Sequence, residues 1–175
     1  LAQSATVYVD GDFSGSGANA PVSFAGNPEP TCAAASATFG HDAFDTITDA
    51  LAHVADGGTV CVAAGTYAET DGAGNNLIIN KPVHMYGAQA GLDARNRSDA
   101  GASIIVPAVG VPGLTYQSSS GMIARIKSDG VVLDGFVLDG DNTAITTGLP
   151  MGSADPDVAL GMALTGSNIE IRNNV

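Results

Sequence analysis

Val83-His84-Met85-Tyr86-Gly87 is echoed twice further along the chain, by Val131-Val132-Leu133-Asp134-Gly135 and by Ile169-Glu170-Ile171-Arg172-Asn173. All three run apolar, any, apolar, polar, then Gly or Asn. Alternate side chains of an extended segment face opposite ways, so Val83/Met85, Val131/Leu133 and Ile169/Ile171 fall on one face. The fifth place takes residues that tolerate a left-handed backbone, as a sharp corner between strands requires. Upstream, Val60/Val62 of Thr59-Val60-Cys61-Val62 joins the set. The pattern predicts one buried column, and an outward column of Cys61, His84, Ile105, Val132 and Glu170 that would make a poor catalytic groove.

From Val60 to Val83 is 23 residues, from Val83 to Val131 is 48, and from Val131 to Ile169 is 38. These intervals fit one turn, two turns, and one turn carrying an insertion of a winding chain, with Ile104-Ile105-Val106 as the intermediate turn. Leu77-Ile78-Ile79 and Phe136-Val137-Leu138 are further short strands, and no helix intervenes, which disfavours a βαβ crossover fold. Nearer the start, Thr6-Val7-Tyr8-Val9 reads as an edge strand ending at Asp10-Gly11-Asp12. A Ser-, Gly-, Ala-, Asn- and Pro-rich stretch follows, to about Pro30. Phe44, Ile47, Leu51 and Val54 then recur at intervals of three and four, the apolar stripe of a helix that stops at Gly57-Gly58. Thr46 with Asp49 resembles a capping box with the shorter acid, and Asp45 is an equally good N-cap.

Composition limits the partners. Eighteen Asp and Glu against six Lys and Arg give a formal net charge of −12 over 175 residues, a charge that nucleic-acid phosphates and anionic membranes repel. No apolar run reaches the roughly 20 residues that span a bilayer. The 23 glycines follow no G-X-Y period and read as turn punctuation. Leu1-Ala2-Gln3-Ser4-Ala5 is the small-residue neighbourhood found near a signal-peptide cleavage site, which points to a secreted or cell-surface location. In an exported protein the even pair Cys32 and Cys61 predicts a disulfide, two unconnected thiols being the alternative. Neither has a second Cys or a His at metal-ligand spacing.

Phe44-Asp45-Thr46-Ile47-Thr48-Asp49-Ala50-Leu51, Gly57-Gly58-Thr59-Val60-Cys61-Val62 and Gly65-Thr66-Tyr67-Ala68-Glu69 together resemble the opening of pectin-lyase-like right-handed β-helix proteins. Lys81-Pro82-Val83-His84-Met85-Tyr86-Gly87-Ala88 continues the resemblance, and Asn168-Ile169-Glu170-Ile171-Arg172-Asn173-Asn174 is similar to a later turn. The resemblance implies an all-β, right-handed parallel β-helix (a solenoid) with a short N-terminal capping α-helix. The chain is accordingly expected to be a single domain over 1–175. Residues 1–42 would be the N-terminal strand and long loop, 43–56 the capping helix, and 57–175 the first β-helix turns, continuing beyond the chain end. Because that family includes lyases, polygalacturonases, tailspikes and adhesins, its fold selects no activity.

Asp134, Asp139 and Asp141 with Asn142 form the densest acidic patch. Asp139 and Asp141 could match the carboxylate separation a glycosidase needs, but Asp-Gly and Asp-Gly-Asp-Asn are also what tight corners use. The same oxygens suit Ca²⁺, and Asp10 with Asp12 is a second candidate pair, so Asp139, Asp141, Asp10 and Asp12 are the metal candidates and Ca²⁺ the one cofactor considered. His41, His53 and His84 are scattered and read as surface histidines. Asn96-Arg97-Ser98 matches the N-glycosylation pattern. Tyr8, Tyr67, Tyr86 and Tyr116 are few for a sugar-stacking platform and are assigned to packing. A Cys32–Cys61 bridge would pin the N-terminal excursion onto the first turn, worth roughly 3 kcal/mol by the chain-entropy estimate.

No residue of this segment is assigned a catalytic role. The reading favoured is a secreted or cell-surface protein with a structural, adhesive or display role, its partners an extracellular polysaccharide or further copies of itself. One alternative is the N-terminal part of a polysaccharide lyase or glycoside hydrolase whose catalytic residues lie further C-terminal, and another is a self-assembling extracellular filament subunit. The excursions at about 13–40 and 139–165 are the loops long enough to carry a function of their own.

Overall fold

The structure is a computed structural model that describes residues 3–110, 121–146 and 155–175. Leu1, Ala2 and Tyr116 lie outside the described residues, as does part of the 139–165 excursion. In chain order the strands are β1 (Ser4–Val9), β2 (Pro21–Phe24), β3 (Ala35–Thr38), β4 (Ala43–Phe44), β5 (Val54–Val62), β6 (Gly65–Glu69) and β7 (Leu77–Ile79). They continue with β8 (Val83–Tyr86), β9 (Ser103–Pro107), β10 (Met122–Ile126), β11 (Val132–Asp134), β12 (Phe136–Leu138), β13 (Leu160–Leu164) and β14 (Glu170–Arg172). Helix α1 (Ile47–His53) sits between β4 and β5.

The expected all-β right-handed parallel solenoid is overturned by the hydrogen bonding. The strands divide among four separate sheets, and an α-helix belongs to the core. One sheet has six strands in the order β14-β11-β8-β5-β1-β4, two have three (β13-β10-β7 and β12-β9-β6), and β2-β3 is a separate antiparallel pair. The architecture is therefore mostly parallel sheet in several small pieces with one helix among the described residues. From β5 onward, successive strands join the six-stranded sheet and the two three-stranded sheets in rotation.

That rotation corrects the spacing argument. Ser103–Pro107 does not mark an additional pass beside β8. It pairs with β6 and β12 in a different sheet, and β8 pairs directly with β11, so the 48-residue interval is a single step in the six-stranded sheet. Ile105 is consequently buried in the main core and not on an outward column. The first register also shifts by two. Val60 lies beside Met85 and Gly58 beside Val83, because β5 begins at Val54 and runs through Gly57-Gly58 instead of starting after them. A shift of two preserves the inward face, so Val60, Val62, Val83, Met85, Val131 and Leu133 are all fully buried together, with Ile169 and Ile171 partly buried against them.

Helix α1 is shorter than the expected 43–56. Phe44 lies in β4 and Val54 opens β5, yet both remain in the same core as Ile47 and Leu51. Thr46 is the N-cap, its hydroxyl accepting from Asp49 N at 3.1 Å. The two preceding helical N–H groups are met from β6: Glu69 accepts from Ile47 N and Thr48 N, each at 2.8 Å, and from Thr48 Oγ1 at 2.6 Å. Burial pushes the Glu69 carboxyl up, and the Thr48 and Ile47 donors together with the helix dipole offset part of that cost.

The N-terminal excursion is not a plain loop. It holds the β2-β3 hairpin, and Phe13, Phe24, Cys32 and Ala37 pack in a second core with Cys61, Tyr86 and Ala90. Cys61 does point away from Val60 and Val62, but it is fully buried beneath this layer. Cys32 and Cys61 form a disulfide with Cα atoms 5.4 Å apart.

Candidate functional site

The metal candidates are best judged by which of their oxygens are already engaged. Asp10 is the N-cap of the 3-10 turn Gly11–Phe13, its Oδ1 accepting from Asp12 N at 3.0 Å. Asp139 makes the same local bond, Oδ1 accepting from Asp141 N at 3.0 Å. Both pairs therefore form side-chain-closed turns, the bland reading of Asp-Gly-Asp. Among the described residues no three His, Cys, Asp or Glu side chains converge in a way that could hold a metal, so the four aspartates are not gathered into one centre.

Asp134 is nearly fully buried and serves the fold. Oδ1 accepts from Gly91 N at 3.0 Å and Asn173 Nδ2 at 2.9 Å, and Oδ2 accepts from Arg172 Nε at 2.7 Å. Burial pushes its carboxyl up, but the donors from Asn173, Gly91 and Arg172 and the Arg172 charge outweigh this and hold it below the ordinary value. A residue so fully paired is not free to act as a base.

Sequence reasoning missed Asp157. It is fully buried, its N donates to Gly140 O at 2.8 Å, and its Oδ2 accepts from Asn142 N at 2.9 Å. Asn142 is anchored in turn by Nδ2 donating to Pro107 O at 2.7 Å. Asp157 Oδ1 and Asp141 Oδ1 are both buried without a hydrogen-bond partner. Burial, followed by the charges of Asp155 and Asp141, pushes the Asp157 carboxyl up. The only sequence signal was the acidic character of Asp155-Pro156-Asp157, inside an excursion whose return path no local pattern specifies.

A cleft of about 390 Å³ opens beside α1, lined by Thr48, Leu51, Ala52, Asp71, Ile78, Asn80 and Lys81. Its volume is at the lower end of the range for small-ligand sites. Its two charged groups hold local structure. Lys81 Nζ donates to Val54 O at 3.0 Å, and Asp71 accepts from Ala73 N, Asn75 N and Asn75 Nδ2. Asn75 is the main cause of an Asp71 carboxyl lying below its ordinary value.

The histidines stay apart. His41 Nε2 lies 2.8 Å from Asn19 Oδ1, His53 stacks on Phe44 with Nδ1 2.8 Å from Asp49 O, and His84 meets Tyr86 edge-on. Tyr67 and Tyr86 are buried, and Tyr8 packs on Phe24. Asn96 is exposed at the end of the 3-10 turn Ala94–Asn96.

A family model described as a protein of unknown function (DUF1565) matches residues 34–175. That match does not name the pectin-lyase-like proteins that the sequence resembles. No curated protein and no solved structure matches the chain.

Proposed function

The chain belongs to the DUF1565 family over residues 34–175, and from that premise we propose that it is a secreted or cell-surface module with a structural, adhesive or display role. The observation that carries this reading is the buried Cys32–Cys61 disulfide, which clamps the hairpin layer onto β5. Disulfides of this kind persist in oxidising compartments, and closing a loop of 29 residues adds about 3–4 kcal/mol by the chain-entropy estimate. The buried acids support it as well. Glu69 and Asp134 stabilise a helix end and a strand pairing, roles in a rigid framework. The cleft beside α1 is the concavity in which an adhesive role would place a sugar unit of an extracellular polysaccharide, with Thr48, Asp71, Asn80 and Lys81 as its polar lining.

The test uses the purified, oxidised chain and a panel of extracellular polysaccharides, with retention measured by affinity electrophoresis and cleavage by release of reducing ends and unsaturated sugars. Retardation on one or more polysaccharides without cleavage is the expected result. Turnover of any of them by this chain would replace the structural reading with an enzymatic one.

A further inference from the structure

Among the described residues, the excursion after β12 folds back where Asp157 reaches the segment 139–142. Its Oδ2 accepts from Asn142 N at 2.9 Å, which turns the carboxylate toward the residue following Asp141. Asp157 is 0 % exposed, and both its Oδ1 and Asp141 Oδ1 are buried without a donor. Asp141 is half-buried and its charge is felt at Asp157. Carboxylate oxygens left bare in one another's field are costly, a cost that proteins meet with a cation, a proton or a full set of donors. Elsewhere the chain uses donors. Asp134 has Gly91, Asn173 and Arg172, and Glu69 has Ile47 and Thr48. The ion pairs among the described residues join Arg95 to Asp93 and Arg172 to Asp134 and Glu170, and none reaches Asp141 or Asp157.

We propose that Asp141 and Asp157 form a binding site for one Ca²⁺ ion, with Asp141 Oδ1 and Asp157 Oδ1 as its carboxylate ligands. The ion ties the two ends of the excursion together and neutralises the buried pair. Ca²⁺ suits the site because it accepts six to eight oxygens in flexible geometry and completes its shell with backbone carbonyls and water, so it does not need a third acid. Mg²⁺ demands near-octahedral geometry and sheds water reluctantly, which a site with two carboxylates on irregular backbone does not favour. Asp139, whose Oδ1 is engaged by Asp141 N, shapes the turn. The site does not depend on the adhesive or display reading and would stand if that reading failed.

The test is thermal unfolding and equilibrium dialysis of the oxidised chain after chelation, with CaCl₂ or MgCl₂ at matched ionic strength. Dissociation in the range of about 0.1–1 mM is expected, as in extracellular modules. At 10 mM Ca²⁺, roughly ten times the weaker limit or more, Tm should rise by about 3–8 °C, with Mg²⁺ giving much less. Asp157→Asn removes one of two repelling charges, so it should fold without calcium while losing most of the rise, and Asp141→Asn should behave alike. Absence of a calcium-dependent rise overturns the proposal, as does an equal rise with Mg²⁺ or a rise that survives in both variants. Should either variant fail to fold, dialysis of the unaltered chain decides: one bound ion supports the site, and none overturns it.

Discussion

Asp134 and Asp157 are both buried carboxylates in a β-rich interior, and they differ in what meets them. Asp134 is surrounded by donors and its carboxyl is held below the ordinary value. A depressed folded value means that the fold binds the ionised form, so this contribution to stability is complete above the ordinary Asp value of about 3.9 and is lost as pH falls through the folded value. Tm measured downward from about pH 5 should therefore fall more steeply for the unaltered chain than for Asp134→Asn. Parallel acid limbs in the two proteins would contradict this role for Asp134. The partners themselves were partly legible, because Asp134 and Arg172 occupy the fourth place of two echoed segments and pair across β11 and β14. At the fifth place, a left-handed backbone does occur at Gly135 and Asn173, but not at Gly87. Gly87 is needed for a different reason: a Cβ there would lie 2.5 Å from Gly135 O. Close approach of two backbones is a property of the pairing and leaves no mark in the local sequence.

At the scale of elements, helix α1 depends on a side chain 21 residues away from Thr48, since Glu69 meets the N–H groups of Ile47 and Thr48 that the helix cannot satisfy itself. Truncation in Glu69→Ala leaves buried donors bare, and the expected loss is about 3 kcal/mol. It should appear in urea unfolding as a lower midpoint with an unchanged slope. An unaltered midpoint would mean that the helix end is stabilised by other means. The apolar stripe identified the helix correctly, but its limits moved inward because Phe44 and Val54 satisfy the same burial from strands. Cys61 illustrates a second limit. Alternation placed it opposite Val60 and Val62, but nothing in Thr59-Val60-Cys61-Val62 announces that Phe13 and Phe24 will cover it.

Over the whole molecule, β1, β5, β7, β8, β9, β11, β12 and β14 were readable as short apolar runs, whereas β2, β3, β4, β6, β10 and β13 were not predicted and the facing of Ile105 came out reversed. Sheet membership was not readable, since Ile104-Ile105-Val106 has the composition of any inward strand and only its pairing with β6 and β12 assigns it. The same difficulty hid half of the proposed calcium site: Asp141 was a candidate from its local sequence, but Asp157 comes from the far end of the excursion and is brought near by its bond from Asn142 N. What unites the structure is a framework of parallel sheets with its N-terminal layer covalently fastened. A secreted or cell-surface location requires that this fastening form in an oxidising compartment. Source cells should be fractionated with free thiols alkylated at lysis, and the state of Cys32 and Cys61 read in each fraction by mass spectrometry. The account predicts the chain outside the cytoplasm with Cys32 bonded to Cys61. Recovery from the cytoplasm with both thiols alkylated would contradict it.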